Sequence, residues 1–395
     1  MGILKKTKKM LASLLLLTMV GTSLAGCGGG SSTETTSASA EETEAAAETG
    51  EDTAAETEEE TSADMDALIK AAQEEGELVV YGSCEEPYVK AAAQNFEKLY
   101  GIKTTYQRLS TGEVEAKVKE ENGNPSADVW FGGTTDPYNV AINDGILEPY
   151  EAMNAVHLKS EKYRDPDGYW YGIYTGYLGF MVNKEELDAE GLEAPMDWDD
   201  LIKPEYKGMI AYSNPGTAGT GKLIVNTMVQ MKGEEAAMEY FKELDKNIQV
   251  YTKAGAGPSK MVGPGEILIA VGFLHDGVTQ ILDGYDNIEL IAPASGTSYE
   301  IGATAIFKGA KHPNAAKLWI EYALSPDCVE LGQTCGSYQF LVIDNAQDPE
   351  CLADFPELQN AKLIDYDFEA AKNDTTRLVE EWNQTINADD RLETE

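Results

Sequence analysis

Three stretches rich in Gly, Ser and Thr each stand between an apolar run and a helical one. They are Ser83-Cys84-Glu85, Gly133-Thr134-Thr135 and Asn214-Pro215-Gly216-Thr217-Ala218-Gly219-Thr220-Gly221. The first turn of a helix presents unpaired N–H groups and a partial positive charge of about half a unit. N–H donors and hydroxyls from Ser83, Thr134, Thr135, Thr217, Gly219 and Thr220 suit capture of an oxyanion such as phosphate. Such loops also serve simply to turn a chain, and that alternative stands beside the anion reading. Lys260, in Gly257-Pro258-Ser259-Lys260, is either a counter-charge or a solvated lysine.

Nucleophilic and metal chemistry find little support. The chain has no Gly-x-Ser-x-Gly elbow, no His-Glu-x-x-His helix and no Walker-type loop, and its cysteines lack zinc spacing. His275, Asp276 and Glu300 are the set that would suit acid–base work, which keeps a secreted hydrolase as an alternative of a different class. His157 and His312, the other two of three histidines, sit in polar surroundings and read as surface residues. No cofactor and no resident metal are expected. Cys84 either faces a cleft or is a buried small hydrophobe, while Cys328, Cys335 and Cys351 lie close enough for one local disulfide of undetermined pairing.

The elements that must hold these loops follow from hydrophobic period. Apolar runs at 77–83, 102–106 and 127–131 alternate with helical stretches at 87–99, 113–121 and 136–144, an order that predicts a mostly parallel sheet covered by helices. A Tyr- and Trp-rich passage, 169–183, leads to a second alternating block with strands at 208–212, 248–252, 267–272 and 288–291. A further strand at 302–307 and a helix at 314–323 precede C-terminal helices. The fold class expected is α/β, with two lobes and a ligand cleft between them, where loops at the carboxyl ends of strands meet. Tyr174 and Tyr177 would pack on a ligand face or line the lobe joint.

Composition sets the partners. Of 395 residues 69 are acidic and 30 basic, a net charge of −39. Residues 1–27 carry +4 and residues 28–63 carry −11, so the remaining body still carries −32. A field of that sign repels nucleic acid and anionic lipid headgroups. Met10–Ala25 is apolar but too short to span a membrane; with four lysines before it, it reads as a signal peptide. Leu24-Ala25-Gly26-Cys27 resembles a bacterial lipobox, which makes Cys27 the lipid-modified first residue of the mature protein. Residues 28–65 then form a disordered acidic linker. The expected location is extracytoplasmic, lipid-anchored to the bacterial cell membrane, with no other membrane contact.

The lipobox, Ser126-Ala127-Asp128-Val129-Trp130-Phe131-Gly132-Gly133-Thr134-Thr135-Asp136-Pro137, the unit Gly145-Ile146-Leu147-Glu148-Pro149-Tyr150 and the Asn-Pro-Gly-Thr-Ala-Gly-Thr-Gly loop together resemble an extracellular solute-binding lipoprotein of an ABC transporter. The resemblance is to the ferric-binding-protein-like family, closest to its sugar-phosphate and phosphonate branch. It implies a type II periplasmic-binding-protein fold, two mostly parallel sheets joined by hinge strands. The lobes would be 66–172 with a return at 297–345, and 173–296, followed by C-terminal helices at 346–395. It further implies a monomer that captures a small anionic solute and delivers it to ABC permease subunits. In hexose-phosphate-binding members a His, an Asp and a Glu hold sugar hydroxyls; Phe273-Leu274-His275-Asp276-Gly277 and Ser298-Tyr299-Glu300-Ile301-Gly302 resemble that pattern, although Asp276 would serve equally as a helix cap. The ferric branch uses adjacent tyrosines, and none occur here, which leaves ferric iron as the disfavoured alternative ligand.

Overall fold

Buried strands alternating with amphipathic helices build both halves of the molecule, which is a computed structural model describing residues 49–386 and 388–393. The signal peptide and Cys27 lie outside the described residues. α1 (Thr49–Glu75) begins inside the segment read from sequence as linker. Its Ala and Glu content favours helix, and in its C-terminal half Met65, Leu68, Ile69 and Ala72 form an apolar stripe packed on the first-lobe core. At its end Glu75 accepts from the backbone N–H groups of Asn314 and Ala315.

β1 (Glu77–Gly82), α2 (Glu86–Tyr100), β2 (Lys103–Arg108), α3 (Thr111–Glu120), β3 (Val129–Thr134) and α4 (Thr135–Asn143) form the first lobe's parallel unit, in sheet order β2-β1-β3. Ser110 caps α3 through a reciprocal pair with Glu113: the Glu113 N–H donates to Ser110 Oγ at 3.3 Å and the Ser110 N–H to Glu113 Oε2 at 2.6 Å. β4 (Leu147–Glu148) precedes the long β5 (Tyr171–Asn183). The second lobe follows as α5 (Lys184–Glu190), β6 (Ile210–Ser213), α6 (Gly219–Lys232), α7 (Glu234–Asp245), β7 (Ile248–Thr252), α8 (Gly257–Val262), β8 (Ile269–Phe273), α9 (Leu274–Leu282) and β9 (Ile288–Ile291). Here β8, β6 and β7 are parallel neighbours. β10 (Tyr299–Phe307), α10 (Pro313–Ala323), α11 (Pro326–Val329) and β11 (Phe340–Leu341) return to the first lobe, and α12 (Pro356–Gln359) and α13 (Phe368–Thr385) end the chain.

β5 belongs to both sheets. Its first half pairs antiparallel with β10 and its second half antiparallel with β8, the change falling between Tyr177 and Leu178. There the Leu178 N–H donates to Ser298 O at 3.1 Å, so both crossings of the chain lie side by side. Each lobe thus keeps a parallel core, and antiparallel pairing enters through the crossover strands and the short β4, β9 and β11.

The first lobe is anchored by aromatic packing: Trp319 meets Phe96 and Phe131 with ring centroids 5.3 Å apart in both cases. In the second, Trp382 of α13 stacks on Tyr212 at 6.4 Å. α13 packs on α4, α6 and α7, thereby touching elements of both lobes. Cys84, Cys328, Cys335 and Cys351 are all free thiols, so the local bridge allowed by spacing is not formed.

Candidate functional site

A cleft lies between the lobes, lined by residues of both. Strand ends from both sheets open onto it. Ser83, Cys84 and Glu85 follow β1; Arg108 ends β2; Gly133 and Thr134 end β3; Ala218 caps α6 and Gly219 and Thr220 begin it; Phe273 ends β8, and His275 and Asp276 stand in the first turn of α9. Tyr174 of β5, Glu300 of β10 and Gln339 complete the wall.

Six helices begin here. The N-cap residues of α2, α3, α4, α6, α8 and α9 are Glu85, Ser110, Thr134, Ala218, Ala256 and Phe273, and every one lines the cavity. Their N-terminal N–H groups and partial positive charges converge on one space, and Arg108 adds a formal cation. Thr111 Oγ1 and Thr134 Oγ1 are buried with no partner among the described residues. A buried hydroxyl left unpaired is costly, so this pair is suited to a polar guest.

The lobes are closed on this space. The Gly112 N–H on α3 donates to Thr217 O across the cleft at 3.3 Å, and Thr279 Oγ1 on α9 donates to Gly336 O at 2.7 Å. Gly219 lies so close to the Thr134 and Thr111 hydroxyls that a Cβ there would collide with Thr134 Oγ1.

On the same cavity His275, Asp276 and Glu300 form a cluster. His275 Nε2 stands 3.7 Å from Asp276 Oδ1 and 3.7 Å from Glu300 Oε1. Ser337 Oγ donates to Gln339 Oε1 at 2.8 Å, which turns the amide Nε2 toward His275 Nε2 at 3.3 Å. Gln339 is then the donor and His275 Nε2 the acceptor, leaving the imidazole proton on Nδ1, a buried atom with no partner among the described residues.

Comparison with known proteins settles the family. The family described as bacterial extracellular solute-binding protein matches residues 124–372. The chain belongs to this family. An uncharacterized protein of Haemophilus influenzae is 39% identical over 328 residues, 81% of this chain and 93% of that protein. The periplasmic binding protein AfuA from Actinobacillus pleuropneumoniae, solved with exogenous fructose-6-phosphate bound, superposes with a TM-score of 0.75 at 37% identity, covering 79% of this chain and 99% of its own. The Fe(3+)-binding periplasmic protein of Serratia marcescens is 25% identical over 306 residues, 74% of this chain and 88% of that protein. The fold is therefore the two-lobed type II periplasmic-binding-protein fold, and the molecule is a solute-binding protein of the ABC-importer type.

Burial governs the titration of this solute-binding protein's cleft. It drives the His275 imidazole down to about 3, so the ring is neutral at ordinary pH. It also pushes Asp276 up to about 8; Glu85 adds repulsion, and Lys260 and Arg108 oppose it. Glu300 is driven well above the usual carboxylate range by burial and by Asp276. Both carboxyls are thereby biased toward the protonated form, which offers a donor as well as an acceptor.

Nine of the eleven candidates read from sequence line the cavity: Ser83, Cys84, Thr134, Tyr174, Gly219, Thr220, His275, Asp276 and Glu300. Thr135 does not. It is the first residue of α4, 1% exposed, and is not part of the cavity lining. Thr217 is also outside, its hydroxyl donating to Lys253 O at 2.9 Å. Lys260 stands at the cleft rim, 3.3 Å from Glu85, and Tyr177 stacks on Phe340 rather than on the cavity. Arg108, Thr111 and Gln339 were not anticipated. Arg108 sits at the carboxyl end of a strand, the same rule that pointed to Ser83 and Thr134, and could have been found by applying it to every strand.

Proposed function

We propose that the protein captures a phosphorylated sugar in the cleft and presents it to an ABC importer. The observation carrying this reading is the mixed lining of the cavity: helix N-termini, the orphaned Thr111 and Thr134 hydroxyls and Arg108, together with the buried His275-Asp276-Glu300 cluster. The first set suits an oxyanion. The second offers donors and acceptors that suit sugar hydroxyls. The fructose-6-phosphate bound to the relative from Actinobacillus pleuropneumoniae supports the same class of ligand. Ferric iron would need ionised oxygen donors, and burial works against ionising Asp276 and Glu300.

Native mass spectrometry of protein purified without denaturation tests this. A bound mass of a sugar monophosphate, recovered intact after the protein is denatured, is expected. Iron as the bound species would overturn the ligand class, and steady release of inorganic phosphate from added sugar phosphate would favour a hydrolase instead.

The lipid anchor at Cys27 belongs to the same proposal, since two acyl chains hold a protein stably at a membrane. Cys27→Ala should shift the protein from the detergent phase to the aqueous phase while leaving the body folded; unchanged partitioning would remove the anchor.

A further inference from the structure

α6 runs from the cavity to the hinge. Its first turn, Gly219 and Thr220, lines the cavity. Lys222 then reaches across the lobe interface to Glu115 on α3, Nζ to Oε2 2.7 Å, the two side chains 7% and 11% exposed. One turn on, Asn226 Nδ2 donates to Asp136 Oδ2 on α4 at 3.0 Å and lies 2.7 Å from Thr375 Oγ1 on α13. Thr227 Oγ1 and Ser298 Oγ, 2.5 Å apart, share a hydrogen bond beside the crossover. Tyr366 Oη also donates to Asp136 Oδ2, at 2.8 Å.

We propose that Lys222 and Asn226, with Glu115 and Asp136 on the facing lobe, form an inter-lobe clasp that fixes the register in which the lobes close, seating the α6 N-terminus on the captured anion. The clasp rests on the reading that an anion sits at that N-terminus.

In an open molecule these groups would be hydrated on separate faces. Closing strips water from two carboxyls and an ammonium, a penalty that the new ion pair about offsets. Glu115 Oε1 and Asp136 Oδ1 are buried without partners, so the row is not a surplus of attraction. Burial raises the Asp136 carboxyl, with the hydrogen bonds from Tyr366 and Asn226, and then Lys222, pulling the other way. Such a clasp does not shut the lobes by itself. It penalises misregistered closure, because a shifted α6 would leave charges buried and unpaired, and it lets ligand contacts decide the equilibrium.

Glu115→Gln leaves Lys222 unpaired in the closed state alone. Titration with fructose 6-phosphate should show binding at least thirtyfold weaker than wild type, chiefly through faster dissociation. Glu115→Met combined with Lys222→Met removes both charges at similar volume and should restore affinity to within about fivefold, with the ligand-free double variant more compact in small-angle scattering than Glu115→Gln. Unchanged affinity in Glu115→Gln, or no recovery in the double variant, overturns the clasp. If wild type binds no fructose 6-phosphate, the ligand class fails separately; the ligand-free scattering still tests the clasp, equal radii for the two variants overturning it. Glu115→Asp, which withdraws the charge by one methylene, should show a smaller loss and replaces Glu115→Gln if that variant does not fold.

Discussion

Asp276 carries the clearest conflict between folding and binding. A carboxyl raised from 3.8 to about 8 favours the folded state fully below its unfolded pKa, and that contribution is lost as pH climbs through the folded value. Asp276→Asn imitates the protonated form at every pH. Its melting temperature should therefore exceed that of ligand-free wild type by an amount that grows from pH 5 to pH 9, reaching on the order of several degrees. Thermal melts across that range check it, and parallel curves would mean that Asp276 is solvated. His275 has the opposite sign: its pKa, depressed to about 3, gives stability present above pH 6.5 that is lost as pH falls toward 3. At this scale much of the cavity wall was legible, because a Ser or Thr just past an apolar run is visible in a string of letters. The choice between Thr134 and Thr135 was not, since it depends on where the strand's alternation ends. Gln339 was invisible for another reason: it comes from an irregular segment with no period, and only the fold brings it to His275.

Among elements, the convergence of helix starts depends on close approach. Gly219 is the first residue of α6 and meets Thr134 and Thr111 of the other lobe. Gly219→Ala should leave each lobe intact yet hold the lobes apart, lowering affinity for the captured solute by about tenfold or more with little change in melting temperature without ligand. Calorimetric titration beside thermal melting separates the two effects; wild-type affinity would show that α6 does not approach in the bound state. Gly176 plays a similar part behind His275, whose ring occupies the space a Cβ would need. The parallel units were legible because apolar runs and amphipathic helices alternate there. β5 was harder: thirteen residues, nearly all buried, carry no period-2 alternation, because its two halves serve different sheets. The helical start of α1 was missed because its residues lack an apolar face, the signal on which a helix reading depends.

The whole molecule is strongly acidic, yet it turns helix N-termini and Arg108 inward on the cleft. The field outside repels anions in general, while the cavity rewards one that sheds water and meets directed donors. On the proposed reading a phosphorylated sugar engages both the anion-binding and the hydroxyl-binding groups, whereas inorganic phosphate or free fructose engages one set. Calorimetric titration of wild type, Thr134→Val and Asp276→Ala with fructose 6-phosphate, fructose and inorganic phosphate measures this directly. Fructose 6-phosphate should bind one to one and at least a hundredfold tighter than either fragment. Thr134→Val should weaken fructose 6-phosphate and phosphate alike, and Asp276→Ala should weaken fructose 6-phosphate by roughly ten- to a hundredfold while sparing phosphate, as expected for loss of about 1–3 kcal/mol. Equal weakening of both ligands by Asp276→Ala, or no binding of fructose 6-phosphate to wild type, would contradict the account.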